Sequence, residues 1–220
     1  MLREYSREVD VSTLRALPVL KQAFALLSQD RQSSYEFVKY QLKAIRQDLT
    51  VQHIEDDFAL EVYIFNALLS LRNKDIPEFA VCTKKVRSLD DPAGGNVQFL
   101  VFDMLLCLNY ALERSDYSSL NLVLMQTGKT PPPAAALSAV CCFLSRNYSR
   151  FFKEIVRLND ITRTCVENIG LLDKMRNDIA LKAIVAAYRP DIEKQFLLSQ
   201  TGLGHIDCDG DYIKVETLKK

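Results

Sequence analysis

The sequence lacks the short motifs on which many enzymes and metal proteins depend. It contains no GxGxxG run, no phosphate-binding P-loop and no HExxH pair. Its two histidines, His53 and His205, lie far apart in the chain, and no serine or cysteine motif accompanies either of them. We therefore expect no enzyme activity, no cofactor and no bound metal.

Net charge is missing as well. Lysine and arginine together number 28, and aspartate and glutamate also number 28, so the formal net charge is zero. A neutral chain has no overall attraction for nucleic acid or for an acidic surface. Any nucleic-acid role must therefore come from local basic patches.

The cysteines show neither a disulfide framework nor a zinc site, because no CxxC pair and no cysteine–histidine ligand spacing occurs. Cys208 stands apart, and the other five fall within apolar helical patterns. This distribution predicts reduced, buried thiols in a nuclear or cytosolic protein. These five are Cys82, Cys107, Cys141, Cys142 and Cys165.

Neither an export signal nor a membrane span is evident. The first ten residues, MLREYSREVD, are charged and lack the apolar core of a signal peptide. The most apolar run, residues 97–112, is shorter than the ~20 residues that a spanning helix needs. Asp103 and Asn109 also interrupt it, so we expect a buried helix there.

What the sequence does contain is a succession of helical patterns. Residues 35–54 carry an apolar stripe formed by Val38, Leu42, Ile45 and Leu49. Residues 58–71 are apolar nearly all round, so that helix must be covered on more than one side. A further helix is expected to start at Asp75, which acts as its N-cap, with Pro77 in its first turn.

A weak internal repeat joins these helices. Asp75, Asp116 and Asn147 each follow the polar end of one helix and precede the next, at spacings of 41 and 31 residues. These spacings are close to the period of tetratricopeptide-like helix pairs, but they are irregular. We expect a mainly α fold whose body, residues 14–160, is an irregular helical-repeat solenoid after an extended lead-in at 1–13.

The last part of the chain has a different pattern. Residues 162–169, 178–188 and 191–199 each resemble a short helix, and Asp209-Gly210 then predicts a β-hairpin turn between two short alternating runs. Three helices followed by a hairpin is the order of a winged helix, which we assign to residues 161–220. The boundary is expected near residues 159–162.

Basic residues form three candidate nucleic-acid contacts. Arg146, Arg150, Lys153 and Arg157 recur at a spacing that places four cations on one helix face, where they could track phosphates without reading sequence. A solvated face, or a docking face for an acidic partner, would have the same pattern. A second stripe and one residue of the winged helix complete the prediction: Lys39, Lys43, Arg46 and Lys194.

Five blocks of sequence resemble a known family. They are QLKAIRQDLTVQ at 41–52, FALEVY at 58–63, DIPEFAVC at 75–82, NYSRFF at 147–152, and ALKAI with YRP within 180–190. In this order the blocks are similar to the GANP-type PCI family (germinal-centre-associated nuclear protein, SAC3/GANP). The resemblance is greatest to the branch of leukocyte receptor cluster member eight and the yeast Thp-type proteins.

The resemblance implies a PCI architecture, a helical-repeat body closed by a winged helix. Such proteins pair with a second PCI-domain protein through the winged helix and hold a small acidic Dss/Sem-type protein. The pair presents a shared basic surface to RNA or DNA, and it acts in nuclear mRNA processing or export. Either basic stripe could hold the acidic protein instead.

An alternative is a protein–protein scaffold without nucleic-acid binding, of the proteasome-lid, signalosome or translation-initiation type. In either case the protein is expected in the nucleus, or also in the cytoplasm, and not on a membrane.

Overall fold

The computed structural model describes residues 14–30, 32–90, 96–126, 131–188, 190–201 and 211–214. Within these ranges the chain is mainly α-helical, as predicted, with one small antiparallel sheet. The expected lead-in at 1–13, the turn at 209–210, His205 and Cys208 all lie outside them.

The helices follow one another at short intervals. In chain order the first nine are α1 Leu17–Gln29, α2 Tyr35–Val51, α3 Asp57–Arg72, α4 Ile76–Leu89, α5 Val97–Arg114, α6 Ser118–Gln126, α7 Ala134–Leu144, α8 Tyr148–Val156 and α9 Asp160–Asn168. They are followed by α10 Leu171–Asp173, a π-helical segment Lys174–Leu181, α11 Lys182–Ala187, β1 Asp191–Glu193, α12 Lys194–Thr201 and β2 Tyr212–Lys214. Of these described helices, none is long and apolar enough to cross a membrane.

Polar caps explain where several helices begin. Ser34, Asp56, Asp75 and Asn147 each accept a hydrogen bond from the backbone N–H three residues further on, which satisfies a donor that the helix leaves unpaired. The N-cap predicted at Asp75 is therefore confirmed, and Asn147 precedes a helix as predicted. Prolines add fixed backbone angles, since Pro18 and Pro77 lie in the first turns of α1 and α4 and Pro133 directly precedes α7.

The chain divides into two compact units, residues 1–99 and 100–220. In the first unit α1, α2 and α3 share one apolar core, and α3 also packs on α4. Phe24 of α1 lies at its centre and makes edge-to-face contacts with Phe58 and Phe65, at 5.8 and 5.4 Å between ring centroids. The expected covering of α3 on more than one side is thus present within this unit.

In the second unit, α8 packs against α7, α12 and the π-helical segment. Phe143 of α7 and Phe151 of α8 meet edge to face at 5.6 Å. A smaller apolar cluster joins α11, the sheet and α12 through Ile184, Ile192, Leu197 and Ile213. The solenoid and winged-helix assignments, and the boundary near 159–162, remain predictions.

Two predicted helix boundaries near the end of the chain are wrong. Residues 191–199 do not form one helix, because Asp191–Glu193 is a strand paired antiparallel with Tyr212–Lys214, with Ile192 opposite Ile213. This pairing involves residues distant in sequence, so local helical periodicity could not reveal it. The helix predicted at 178–188 is also part of a longer helical stretch that starts at Leu171, where buried Leu171 and Met175 anchor it.

The prediction of buried thiols holds for three cysteines. Cys82, Cys142 and Cys165 are buried, but Cys107 is only half-buried and Cys141 is exposed. All five are free thiols. Cys141 lies next to buried Cys142 on α7, about 100° round the helix, on a side that solvent reaches.

Candidate nucleic-acid interface

Helix α8 separates an aromatic face from a basic face. Phe151, Phe152 and Ile155 are buried, which orients the helix against its neighbours. Arg150, Lys153 and Arg157 are exposed on the other side, as the sequence predicted. Arg146 is also exposed, but it lies in the turn before α8, with the left-handed φ of 55° that ends α7. The prediction that all four cations share one helix face is therefore wrong for Arg146, because the helical spacing is interrupted between Leu144 and Tyr148.

A buried carboxylate organises this basic face. Glu154 is 6% exposed, and its oxygens lie 3.5 Å from Arg150 Nε and 3.3 Å from Arg157 Nη1. Burial raises the pKa of Glu154, but the hydrogen bond from Ser138 and the charges of Arg157 and Arg150 together hold that pKa below its ordinary value. Glu154 therefore stays ionised at neutral pH and fixes the directions of two guanidinium groups.

Most of the positive charge on this face stays available. The side chains of Arg150 and Arg157 are 64% and 71% exposed in spite of their contact with Glu154. Among the described residues, no carboxylate pairs with Lys153 or Arg146. Glu154 thus pairs with only two of these four cations, which leaves a surface suited to anions.

Arg163 contacts the C-terminal end of α8. Its guanidinium donates to the carbonyls of Ile155, Val156 and Leu158, at 3.4, 3.0 and 3.1 Å. Carbonyls at the end of a helix lack the donors that a further turn would supply, so a cation there is favourable; the carbonyl of Ile155 also accepts from the Leu158 N–H at 3.2 Å. Neither Glu154 nor Arg163 was predicted from the sequence. The spacing of Glu154 from Arg150 and Arg157 was the available signal for the first, and an arginine following a helix end was the signal for the second.

The second predicted stripe has a different environment. Arg46 is 7% exposed and forms an ion pair with Glu78, and its guanidinium carbon lies 5.6 Å from the ring centre of Tyr63. Asn66 donates to the same Glu78 oxygen at 3.2 Å. A phosphate contact by Arg46 would require the loss of these interactions, so its predicted role in nucleic-acid binding stays a prediction.

Lys39 and Lys43 lie on the same helix. Lys39 Nζ is 2.5 Å from Asp75, which also accepts a hydrogen bond from the Tyr35 hydroxyl at 2.8 Å. Burial raises the pKa of Asp75, but these two partners and the N–H of Glu78 lower it below its ordinary value. Lys43 is half-buried.

The sequence blocks at 41–52 and 75–82 therefore supply buried polar contacts. One such contact is the ion pair of Arg46 with Glu78. A second involves Asp48, which is fully buried and accepts a hydrogen bond from Arg15 Nε at 2.6 Å. Gln52 then donates to the carbonyl of Arg15 at 2.9 Å. The residues that carry the family resemblance here hold α2 to α4 and to the segment before α1.

Lys194 is half-buried at the start of α12, where its backbone N–H donates to the carbonyl of Asp211 at 2.7 Å. Helix α12 packs against α8, so Lys194 belongs to the same unit as the basic face. Lys39, Lys43 and Arg46 belong to the other unit.

The fold and this surface define a mainly α-helical protein with an exposed basic helix face, and no group of three metal-binding side chains occurs in the ranges described. No family model matches the chain. Comparison with curated proteins does find relatives. The chain is 32% identical over 200 residues to the Leukocyte receptor cluster member 8 homolog of Xenopus laevis, a match that covers 87% of this chain and 24% of the relative.

Two further relatives carry the names of one family. A THP3 homolog of Schizosaccharomyces pombe is 30% identical over 90% of this chain and 51% of its own length. SAC3 family protein A of Arabidopsis thaliana is 30% identical over 91% of this chain and 20% of its own length. The chain belongs to the SAC3/THP3-type family, as the sequence blocks predicted. It spans between a fifth and about half of the length of these relatives.

Proposed function

We propose that this chain is a non-enzymatic scaffold subunit that binds nucleic acid in nuclear mRNA metabolism, during transcription-coupled processing or export. The similarity to SAC3- and THP3-named proteins supports the pathway. The basic face of α8 supports the nucleic-acid role, and it is the observation that carries this proposal.

The geometry of α8 suits phosphate binding for two reasons. Arg150, Lys153 and Arg157 span about 10 Å of helix at ~1.5 Å per residue, so they can contact successive backbone groups. Glu154 contacts both Arg150 and Arg157 and restricts their side chains, which reduces the conformational entropy lost when a nucleic-acid strand binds. Contacts of this kind position a nucleic acid without reading its sequence.

The partners follow from the resemblance to PCI proteins. We assign α9 to β2 to a winged helix that pairs with a second PCI-domain protein; the strand Asp191–Glu193 beside α12 is compatible with that architecture. We also assign a small acidic Dss/Sem-type protein to the complex. A basic stripe that this protein does not cover is then free for RNA or DNA.

The direct test measures the affinity of the whole chain for a fluorescent 20-nucleotide RNA at several salt concentrations. The triple variant Arg150→Gln, Lys153→Gln, Arg157→Gln removes charge without placing new carboxylates beside Glu154. Losing three phosphate contacts lowers the slope of log affinity against log salt by about 2 for a single strand.

The matched control for this test is Arg72→Gln, which removes an exposed cation at the end of α3. It should leave the salt slope unchanged. If the unaltered chain has no measurable affinity for RNA or DNA even at low salt, the nucleic-acid role is wrong and the protein–protein scaffold is the better account.

A pull-down of the tagged chain from native extract tests the partners. Recovery of a second PCI protein and a small acidic protein, with RNA lost in the triple variant, supports the proposal. Recovery of proteasome-lid, signalosome or initiation-factor subunits would assign the chain to the alternative class of scaffold.

A further inference from the structure

A groove within the second unit adjoins the basic face. It has a volume of about 540 Å³, and its walls come from the end of α5, the residue before α6, the end of α7 and the π-helical segment. Arg146, which lies two residues before α8, also lines it. The groove therefore reaches the turn at the N-terminal end of the helix that carries the basic face.

The groove combines apolar lining with an exposed ring. Ile179 and Leu144 contribute apolar surface, and Leu144 is 43% exposed. Tyr117 lines the groove with 41% of its surface accessible. An accessible aromatic ring beside an apolar wall provides a stacking surface for a planar ligand.

Charged groups of both signs surround this surface. Lys174 Nζ lies 3.2 Å from Glu113 and 2.7 Å from the side-chain oxygen of Asn109, and Lys182 Nζ lies 2.9 Å from Asp178. Because each lysine has a carboxylate beside it, the groove is not simply cationic. An acidic peptide would meet Glu113 and Asp178 at close range, so charge does not favour it here.

A nucleobase matches this combination better. It is planar and stacks on tyrosine, and its edge carries both donors and acceptors that carboxylates and ammonium groups can pair with. The volume also falls in the ~300–1,000 Å³ range of small-ligand sites. The phosphates on one side of such a base would lie toward Arg146 and the stripe.

We propose that this groove binds one unpaired base of a single-stranded RNA whose backbone runs along the basic face of α8, with Tyr117 as the stacking residue. This inference rests on the proposed nucleic-acid function and deepens it, because it makes the preferred ligand single-stranded. Duplex RNA hides its bases and can engage the stripe alone.

The test compares a fluorescein-labelled 12-nucleotide RNA with the same strand annealed to its complement, using the whole chain. Tyr117→Ala should weaken single-strand binding about tenfold, since stacking of one base contributes about 1–3 kcal/mol. Tyr117→Phe keeps the ring and should bind within about twofold of the unaltered chain. Duplex affinity should not change in either variant.

Tyr110→Ala is the matched control, because Tyr110 is also exposed in the second unit but does not line the groove. It should bind both RNAs like the unaltered chain. In addition, 5-iodouridine RNA should crosslink on irradiation to the peptide that contains Tyr117, a readout that does not depend on any substitution.

The outcomes separate the two proposals. If the triple variant of α8 weakens RNA binding but Tyr117→Ala does not, the groove assignment is wrong and the nucleic-acid function stands. If the unaltered chain binds no RNA, both are wrong. If a polyglutamate peptide displaces the RNA from the unaltered chain and loses its own affinity in Tyr117→Ala, the groove belongs to an acidic protein instead.

Discussion

The substitution Arg46→Met removes a buried positive charge and keeps an unbranched side chain. Glu78 then loses its ion-pair partner while its side chain is only 13% exposed. Removing one member of a buried pair typically costs about 3–5 kcal/mol. We expect about 3 kcal/mol, the lower end, because Asn66 still donates to Glu78 and some solvent reaches the carboxylate.

Thermal unfolding followed by circular dichroism measures this effect. For a chain of this size, ~3 kcal/mol corresponds to a fall of roughly 6–12 °C in Tm. The double variant Arg46→Met, Glu78→Gln removes the orphaned charge and should recover most of the loss. Lys84→Met, which removes an exposed cation on α4, should change stability by less than ~0.5 kcal/mol.

A different result would refute this reasoning. If Arg46→Met leaves Tm unchanged and weakens RNA binding, Arg46 contacts phosphate, as its place in the stripe of α2 suggested. If the double variant is as unstable as the single one, the loss comes from packing on Tyr63 and not from the uncompensated carboxylate.

Two further predictions concern a cap and the thiols. Asn147→Ala removes the N-cap of α8 and should cost about 1 kcal/mol in the same melting assay, whereas Asn147→Asp should cost little; equal losses would mean that the cap hydrogen bond is not what matters. At pH 8, iodoacetamide followed by peptide mapping should modify Cys141 well before Cys82 and Cys165, because burial raises the pKa of Cys82 to about 12 and that of Cys165 far above its ordinary value. The thiols of the unfolded chain lose their protons near pH 9, whereas the folded Cys82 and Cys165 keep theirs. Stability should therefore fall as the pH rises above 9, and Cys82→Ala should reduce that fall. A melting temperature that does not change with pH above 9 would contradict this expectation.

Local patterns proved sufficient for the helices and their starts. The cap at Asp75, the proline that follows it and the apolar stripe of α2 depend on residues three or four positions apart, which the linear sequence displays directly. The family resemblance was confirmed for the same reason, since its blocks are contiguous runs of residues.

The strand Asp191–Glu193 and the burial of Glu154 could not be found in this way. Ile192 is in a strand because Ile213 pairs with it, and no local preference encodes that partner. The two arginines that contact Glu154 are four and three positions away, but its burial and its hydrogen bond with Ser138 depend on the packing of α7 on α8.

The amino-acid sequence alone thus determined the mainly α class, the starts of several helices and the family, because these depend on short-range spacing. Tertiary structure decided which cations are exposed. Lys153 and Arg46 both occur in basic stripes at helical spacing, yet one faces solvent and the other forms a buried pair with Glu78. The difference arises because the neighbouring helix, and not the helix itself, determines which side of a basic stripe is covered.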